Sequence, residues 1–217
     1  GKHLVLEPYL ETILLGGGAL SFGPEDIRRQ YLPAIIAGDL QCAFAHHEPN
    51  HTAERYYVGT TALQSKDSWQ LNGVKSIVSN APHSGLLVLT ARIKGRKHDS
   101  DGIGLFVVDK NVRGVHCDDY LTIDGRRASE ITLNEVEVER GALLTVDAGQ
   151  LDTLLDRACF AVCAEAVGAM SALISMTIDY CQQRKQFGQS IGSFQALQHR
   201  MVDMYIASEL SHSLLIA

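Results

Sequence analysis

The chain has 217 residues, a formal net charge of −6 and 46% hydrophobic residues. This apolar content is enough for one large domain or two small ones, whereas the negative charge argues against nucleic acid as the main partner. The five cysteines are scattered and show no Cys-x-x-Cys spacing, which favours reduced thiols and a cytoplasmic location over disulfides or a zinc site.

The N-terminal part, residues 1–38, is predicted to be helical. Residues 4–15 are apolar and are expected to form a helix that ends at the glycine run 16–18. A second helix is expected to begin at Pro24, because proline suits the first helical position and two acidic residues follow it. Gly38 is expected to close that helix.

Short strands are predicted between residues 39 and 147. The pair Asn72-Gly73 lies between two β-type runs and predicts a hairpin turn. Residues 85–91, 104–109 and 128–133 are further apolar runs of strand length. Strands at this density with polar turns indicate a compact β-barrel or a sandwich.

Residues 148–217 are predicted to form two long helices joined by a cationic and aromatic turn. Apolar residues recur at helical spacing on both sides of the segment from Arg184 to Gly188. In that turn arginine offers a fork for phosphate, phenylalanine a flat apolar face, and glutamine both a donor and an acceptor. The turn is therefore suited to an anionic planar ligand. We recognise no secretory signal and no apolar run of about 18 residues, so we expect no membrane span.

The run from Arg184 to Gln198 resembles a signature of the acyl-CoA dehydrogenase flavoproteins, R-x-Q-F-G-x-x-I-x-x-F-Q-x-x-Q. Residues 42–49, which end in His47-Glu48-Pro49, resemble the family's strand that ends in Thr-Glu-Pro. Residues 69–81 resemble its x-L-N-G-x-K-x-x-I-T-N-A segment. The resemblance implies an α+β fold with a helical N-terminal piece (1–38), a middle β-barrel (39–147) and the start of a C-terminal four-helix bundle (148–217). It also implies FAD as the cofactor.

The resemblance assigns cofactor contacts to two groups of residues. In the family, the loop after the first bundle helix reaches the FAD of a neighbouring subunit, which implies this role for Arg184, Gln186, Phe187, Ile191, Phe194 and Gln195. On the chain's own flavin side the matching positions are Phe44, His46, His47, Ile77 and Ser79. The Ser79 hydroxyl would reach the flavin N5 edge; alternatively, it bonds only the local backbone at a strand end. A homo-oligomer or a related partner subunit is implied.

Several positions depart from the family pattern. His47 stands in place of threonine, Ile77 in place of the tryptophan that covers the flavin, and residues 51–54 in place of a loop of small residues, so flavin binding is expected to be altered. His46, His47 and His51 invite a metal interpretation. However, consecutive residues of a strand point to opposite faces, so one histidine is expected to face the flavin or substrate and the other solvent, without a metal.

The implied reaction is α,β-dehydrogenation of an acyl-CoA thioester, with electrons passed on to an acceptor. In the family the catalytic carboxylate usually lies well downstream of the Arg184 loop, which implies a position beyond Ala217. The family's second known location aligns with Ala158, which cannot act as a base. Ala53, Asp156 and Arg157 are the candidates for substrate binding, although a plain surface-charge role for the last two carries more weight. A non-catalytic partner subunit and a flavin oxidase or monooxygenase on the same fold are the alternatives. Because the chain starts at Gly1 and stops inside an apolar helical pattern, we expect an internal segment of a longer protein.

Overall fold

The computed structural model describes residues 1–51 and 54–217, which form two compact units. The sheet unit comprises Glu7–Ala158. The helical unit comprises Gly1–Leu6 and Cys159–Ala217.

The N-terminal helices belong to the sheet unit. A π-helical segment, Tyr9–Gly17, continues directly into a short α-helix α1 (Gly18–Leu20), and α2 spans Glu25–Ala37. The predicted end of α2 is confirmed, because Gly38 adopts a left-handed conformation with φ 83°. The predicted break at residues 16–18 is wrong. A Cβ on Gly16 would lie 2.5 Å from the Cβ of Cys42, so this glycine permits close packing instead of ending the helix.

Among the described residues, eight strands form one mixed sheet. They are β1 (Cys42–Ala45), β2 (Thr61–Gln64), β3 (Ser68–Ser79), β4 (Leu86–Arg92), β5 (Ile103–Asp109), β6 (Val115–Leu121), β7 (Arg127–Glu139) and β8 (Leu143–Thr145). The order is β6-β7-β3-β2-β4-β5-β8, and β1 pairs with β4 in parallel. The predicted strands 85–91, 104–109 and 128–133 are confirmed as β4, β5 and most of the first half of β7.

The sheet curls around one of its two cores. Strands β3 and β5 are three positions apart, about 14 Å in a flat sheet, yet Trp69 and Phe106 meet edge to face with ring centroids 5.4 Å apart. A second core lies on the other face, where Leu86 and Val88 of β4 share a cluster with Leu20. Within residues 1–51 and 54–217 the edge strands β6 and β8 do not pair with each other, so a closed barrel is not confirmed.

The predicted hairpin at Asn72-Gly73 is wrong, because β3 runs through both residues. The register against β7 shifts between Leu71 and Gly73, which marks a bulge. A Cβ on Gly73 would lie 2.5 Å from the Oγ1 atom of Thr60. The Asn72 side chain accepts a hydrogen bond from the Glu135 amide at 2.8 Å. Both residues therefore serve pairing within the sheet rather than a chain reversal.

Two long helices, α3 (Ala148–Gln183) and α4 (Gln195–Ile216), flank a hairpin of β9 (Lys185–Gln186) and β10 (Gln189–Ser190). Both carry exposed apolar side chains, such as Met176 on α3 and Leu214 on α4. A four-helix bundle is not confirmed.

The most apolar 18 residues of α3 have a mean hydropathy of 1.8. By length and composition alone α3 is therefore long and apolar enough to cross a membrane, and the expectation that no run of the chain meets this criterion is wrong.

Candidate cofactor site

A buried ion pair organises the polar interior of the sheet unit. The Lys75 ammonium lies 2.7 Å from the Glu48 Oε1 atom, and the two side chains are 0% and 6% exposed. Lys75 also donates to the Thr90 hydroxyl at 3.1 Å and to the His46 carbonyl at 3.4 Å. Its three protons are thus all used. Burial lowers the pKa of Lys75 to about 8, against the opposing effect of Glu48. The carboxylate at 2.7 Å and the two further oxygen acceptors match the three donors of an ammonium group.

Glu48 ties the end of the following loop to the sheet. Its Oε2 atom accepts from the Gly59 amide at 2.8 Å and its Oε1 atom from the Thr60 amide at 2.9 Å. Burial raises the pKa of Glu48, but the charge and hydrogen bond of Lys75 outweigh it and hold that pKa below its usual value. The pair was not foreseen. One feature of the sequence could have predicted it. A lysine at an inward-facing position of a strand needs a buried acidic partner.

The two neighbouring histidines lie in opposite environments, as the strand geometry predicted. His46 is buried, with Nδ1 3.1 Å from the Thr90 hydroxyl and Nε2 2.9 Å from the Arg55 carbonyl. Neither ring nitrogen of His46 is left for a cofactor. His47 keeps part of its surface exposed, and the partial desolvation of its ring together with the Lys75 charge lowers its pKa. Only His47 of the two therefore offers an imidazole to a ligand.

A partly solvent-exposed surface forms where the end of β1 lies along the second half of β3; we call it the flavin-side surface. The Ser76 amide donates to the His47 carbonyl at 2.9 Å, and the Asn80 side chain donates to the Cys42 carbonyl at 3.4 Å. These contacts place four of the predicted residues on adjacent extended segments: Phe44, His47, Ile77 and Ser79.

Ile77 has an unusual backbone in this surface. Its φ is 53°, its side chain is 51% exposed, and its amide donates to Glu130 Oε1 at 3.1 Å. A β-branched residue in the left-handed region is strained, and such strain concentrates at functional sites. Ser79 is half-buried, and its hydroxyl makes no hydrogen bond within the described part of the chain. The surface thus offers an apolar face beside an imidazole and an unpaired hydroxyl.

The start of α3 is clamped by the loop that follows Pro49. Arg55 Nε lies 3.1 Å from Asp152 Oδ1, and the Arg55 guanidinium also pairs with Asp156. The Tyr56 hydroxyl donates to Asp152 Oδ1 at 2.9 Å. The Asp156 carboxylate therefore has a partner in its own chain, while Arg157 is exposed. Ala53 lies outside the described residues. Arg55 and Tyr56 were not foreseen, because nothing local in the sequence pairs them with residues almost 100 positions away.

The predicted cationic and aromatic turn is a tight hairpin in the helical unit. Its central residues Phe187 and Gly188 have φ of 55° and 79°, as a two-residue hairpin turn with positive φ at both positions requires. The hairpin is anchored by the Ile191 amide on the Arg184 carbonyl at 2.9 Å and by the Ser190 hydroxyl on the Cys181 carbonyl at 2.7 Å. Its backbone is therefore held rigidly.

The side chains of this hairpin face outward. Phe187 is 90% exposed, and its ring lies edge to face with Phe194, with ring centroids 6.2 Å apart. The Arg184 guanidinium makes no ion pair or hydrogen bond within residues 1–51 and 54–217. Gln195 is exposed, and the Gln186 side-chain amide donates to the neighbouring Lys185 carbonyl at 2.9 Å. The predicted loop contacts all belong to the helical unit, whereas the five flavin-side residues belong to the sheet unit.

Two models of one protein family match most of the chain. The acyl-CoA dehydrogenase middle domain matches residues 43–137, and the acyl-CoA dehydrogenase C-terminal domain matches residues 149–217. The chain belongs to the acyl-CoA dehydrogenase family, and members of that family are oxidoreductases.

Individual relatives agree with this assignment. The chain is 32% identical to a 3-(aryl)acrylate reductase of Clostridium sporogenes over 88% of its own length and 52% of the relative's. It is 28% identical to the probable acyl-CoA dehydrogenase YngJ of Bacillus subtilis, over 96% and 57%. It thus spans about half the length of these relatives. A glutaryl-CoA dehydrogenase structure from Mycobacterium smegmatis in complex with FADH2 superposes with a TM-score of 0.86 at 24% identity, over 94% of this chain and 53% of that one. The family supports the FAD cofactor that the sequence predicts.

Proposed function

We propose that the full-length protein is an FAD-dependent dehydrogenase that introduces an α,β double bond into an acyl-CoA thioester and passes the electrons to a separate acceptor. The observation that carries this proposal is the exposed hairpin with Arg184 and Phe187, which lies within the span matched by the C-terminal family domain. A rigid loop with a free guanidinium and an exposed ring is suited to a ligand that carries both phosphate and an aromatic base.

The residues present fit FAD. The unpaired Ser79 hydroxyl, the exposed Ile77 side chain and the exposed His47 imidazole form a surface for a planar polar ring. When bound, FAD supplies the capacity to accept the electrons of the oxidation. Our proposal gives Ser79 the role of a hydrogen-bond donor to the ring edge and Ile77 that of an apolar contact. Phe44 supports this surface from the second core of the sheet unit.

The hairpin is proposed to serve a second subunit. Arg184 and Gln186 would bind the diphosphate and adenosine part of that subunit's FAD, and Phe187 would pack beside it. Ile191, Phe194 and Gln195 would complete the contact. The high exposure of Phe187 supports this, because an exposed phenylalanine in a strained turn gains nothing within its own chain. A homo-oligomer or an assembly with a related subunit would supply the neighbour.

The remaining assignments are also part of the proposal. The catalytic base lies beyond Ala217, and Ala53, Asp156 and Arg157 contact the substrate. We further propose that the curled sheet is the family's barrel, that the chain divides at residues 38 and 147, and that α3 is a bundle helix and not a membrane span. The five free cysteines support a cytoplasmic location.

Purified full-length protein tests the function directly. We expect bound FAD in an absorbance spectrum and reduction of an artificial electron acceptor when a panel of acyl-CoA thioesters is supplied. Oxygen consumption in place of acceptor reduction would favour an oxidase. Protein that neither binds FAD nor reduces the acceptor with any thioester would refute the proposal.

A second candidate, a non-catalytic partner subunit, is favoured by Ile77 and His47, which replace the tryptophan and threonine of the family pattern. In that case the full-length protein alone would be colourless after FAD addition. It would restore or raise FAD binding only when mixed with a related, active chain.

A further inference from the structure

We propose that His46 is a positioning residue. It links the buried Glu48–Lys75 pair, through Thr90, to the backbone of the loop formed by residues 54–60, and it thereby holds Arg55 in the orientation that reaches the start of α3. The hydrogen-bond network stands independently of the proposed function, whereas its effect on catalysis rests on that function.

For a neutral His46 ring, the network permits one proton arrangement. An ammonium only donates, so Thr90 must accept from Lys75 at 3.1 Å. The single hydroxyl proton of Thr90 is then available for His46 Nδ1, 3.1 Å away. On the other side of the ring, the Arg55 carbonyl only accepts, so His46 Nε2 must carry a proton at 2.9 Å. Both requirements select the same neutral tautomer, protonated on Nε2.

A doubly protonated ring is disfavoured by its surroundings. Burial, the Lys75 charge and the neighbouring His47 lower the pKa of His46 to about 3. The ring therefore keeps the same donor and acceptor over the physiological range, and it acts as a fixed connector and not as a pH sensor.

The hydrogen bond from His46 to the Arg55 carbonyl fixes the backbone of a residue whose side chain has partners elsewhere. The Arg55 side chain reaches Asp152 and Asp156 at the start of α3. The rest of the loop is secured by other groups, since Arg92 donates to the Tyr56 carbonyl at 3.0 Å and Glu48 accepts from the Gly59 amide. Loss of His46 should thus disturb Arg55 without unfolding the loop.

Two substitutions of His46 separate its two contacts. Glutamine places an amide donor near the position of Nε2 and can still bond the Arg55 carbonyl, whereas asparagine reaches only the position of Nδ1. For the full-length enzyme we expect His46→Asn to raise the KM for acyl-CoA about tenfold, the effect of one lost buried hydrogen bond. For His46→Gln we expect a KM within about threefold of wild type. For both, kcat should change less than KM.

Thr90→Val and Thr12→Val form a matched pair of buried threonine substitutions. Thr12 bonds the Cys42 backbone at 3.1 and 3.2 Å and shares no hydrogen-bond partner with His46 among the described residues. Nitrogen-15 spectra of labelled histidine should show His46 as the Nε2-protonated neutral form from pH 8 to 5. Thr90→Val should shift its Nδ1 signal, and Thr12→Val should not.

Hydrogen exchange gives a readout that does not need catalysis. We expect faster exchange in residues 54–60 for His46→Asn but not for His46→Gln. Equal exchange in both variants, or a His46 that titrates near its ordinary pKa, would overturn the inference. If the wild-type protein lacks FAD and turnover, the proposed function fails, while the spectra and exchange rates still decide the role of His46.

Discussion

The sheet unit and the helical unit treat their polar and aromatic groups in opposite ways. In the sheet unit, Lys75, Glu48 and Arg92 are buried, and each uses its hydrogen-bonding groups on partners in the same unit. In the helical unit, Arg184 and Phe187 extend outward from a rigid hairpin. The polar groups of the sheet unit stabilise its interior, whereas those of the helical unit are exposed and can contact an external ligand.

The difference also extends to the apolar residues. The strands β4 and β5 are buried on both faces because two cores form against the sheet. The long helices expose side chains such as Leu173, Tyr180 and Leu210. Many large apolar side chains exposed on one pair of helices are typical of an interaction site. Substitutions in the sheet unit should therefore change stability first, and substitutions in the hairpin should change binding first.

The largest expected effect is the loss of the buried ion pair. Lys75→Met leaves the Glu48 carboxylate buried without its cation and should lower the free energy of unfolding by about 3–5 kcal/mol. Urea denaturation of the full-length protein measures this change. The double variant Lys75→Met/Glu48→Gln should recover part of the loss, because it removes the uncompensated charge. A single variant within about 1 kcal/mol of wild type would contradict the assignment of this pair as the organising contact.

The pH dependence of stability should follow from His46. Its folded pKa of about 3 lies below the ordinary value of 6.5, so the unfolded chain binds more protons between these values. The contribution of the neutral His46 to stability is therefore fully present above pH 6.5. Below that pH, acidification lowers the free energy of unfolding by about 1 kcal/mol per pH unit. Urea denaturation at pH 7, 6 and 5 checks the slope. His46→Gln should show a flatter profile, and identical slopes would speak against a buried neutral histidine.

Arg184→Ala should separate binding from stability. Because Arg184 has no side-chain partner among the described residues, we expect the thermal midpoint of the FAD-free protein to stay within about 1 °C of wild type. FAD affinity should fall about tenfold through loss of a charge-assisted contact. Fluorescence titration with FAD measures it, and Lys185→Ala, at the neighbouring exposed position that begins β9, is the control. Equal losses in both variants would indicate a general charge effect.

The smallest expected effect concerns the strained residue of the flavin-side surface. Asparagine tolerates positive φ better than isoleucine, so Ile77→Asn should raise the free energy of unfolding by about 0.5–1 kcal/mol. Val74→Asn, another partly exposed position of β3, should lower it, because asparagine disfavours a regular strand. Destabilisation by Ile77→Asn would show that packing of the side chain outweighs backbone strain.

Local patterns were sufficient for part of the fold and part of the candidate site. The apolar runs that became β4 and β5 and the capping glycine of α2 act over a few residues, so they can be identified without the fold. The exposed turn at Phe187 and Gly188 is of the same kind. The Asn72-Gly73 hairpin failed for the opposite reason. A glycine next to asparagine favours a turn locally, but pairing of β3 with both β2 and β7 outweighs that preference.

The sequence by itself determined the family, the alternation of helix and strand, and the residue types of the exposed hairpin, because these depend on spacing along the chain. Only the tertiary structure decided that Lys75 meets Glu48, that His46 turns inward while His47 stays exposed, and that Arg55 pairs with Asp152 and Asp156. These contacts join residues from 9 to 101 positions apart. Their partners are selected by how the curled sheet brings separate segments together in space, and this is not encoded in any local spacing.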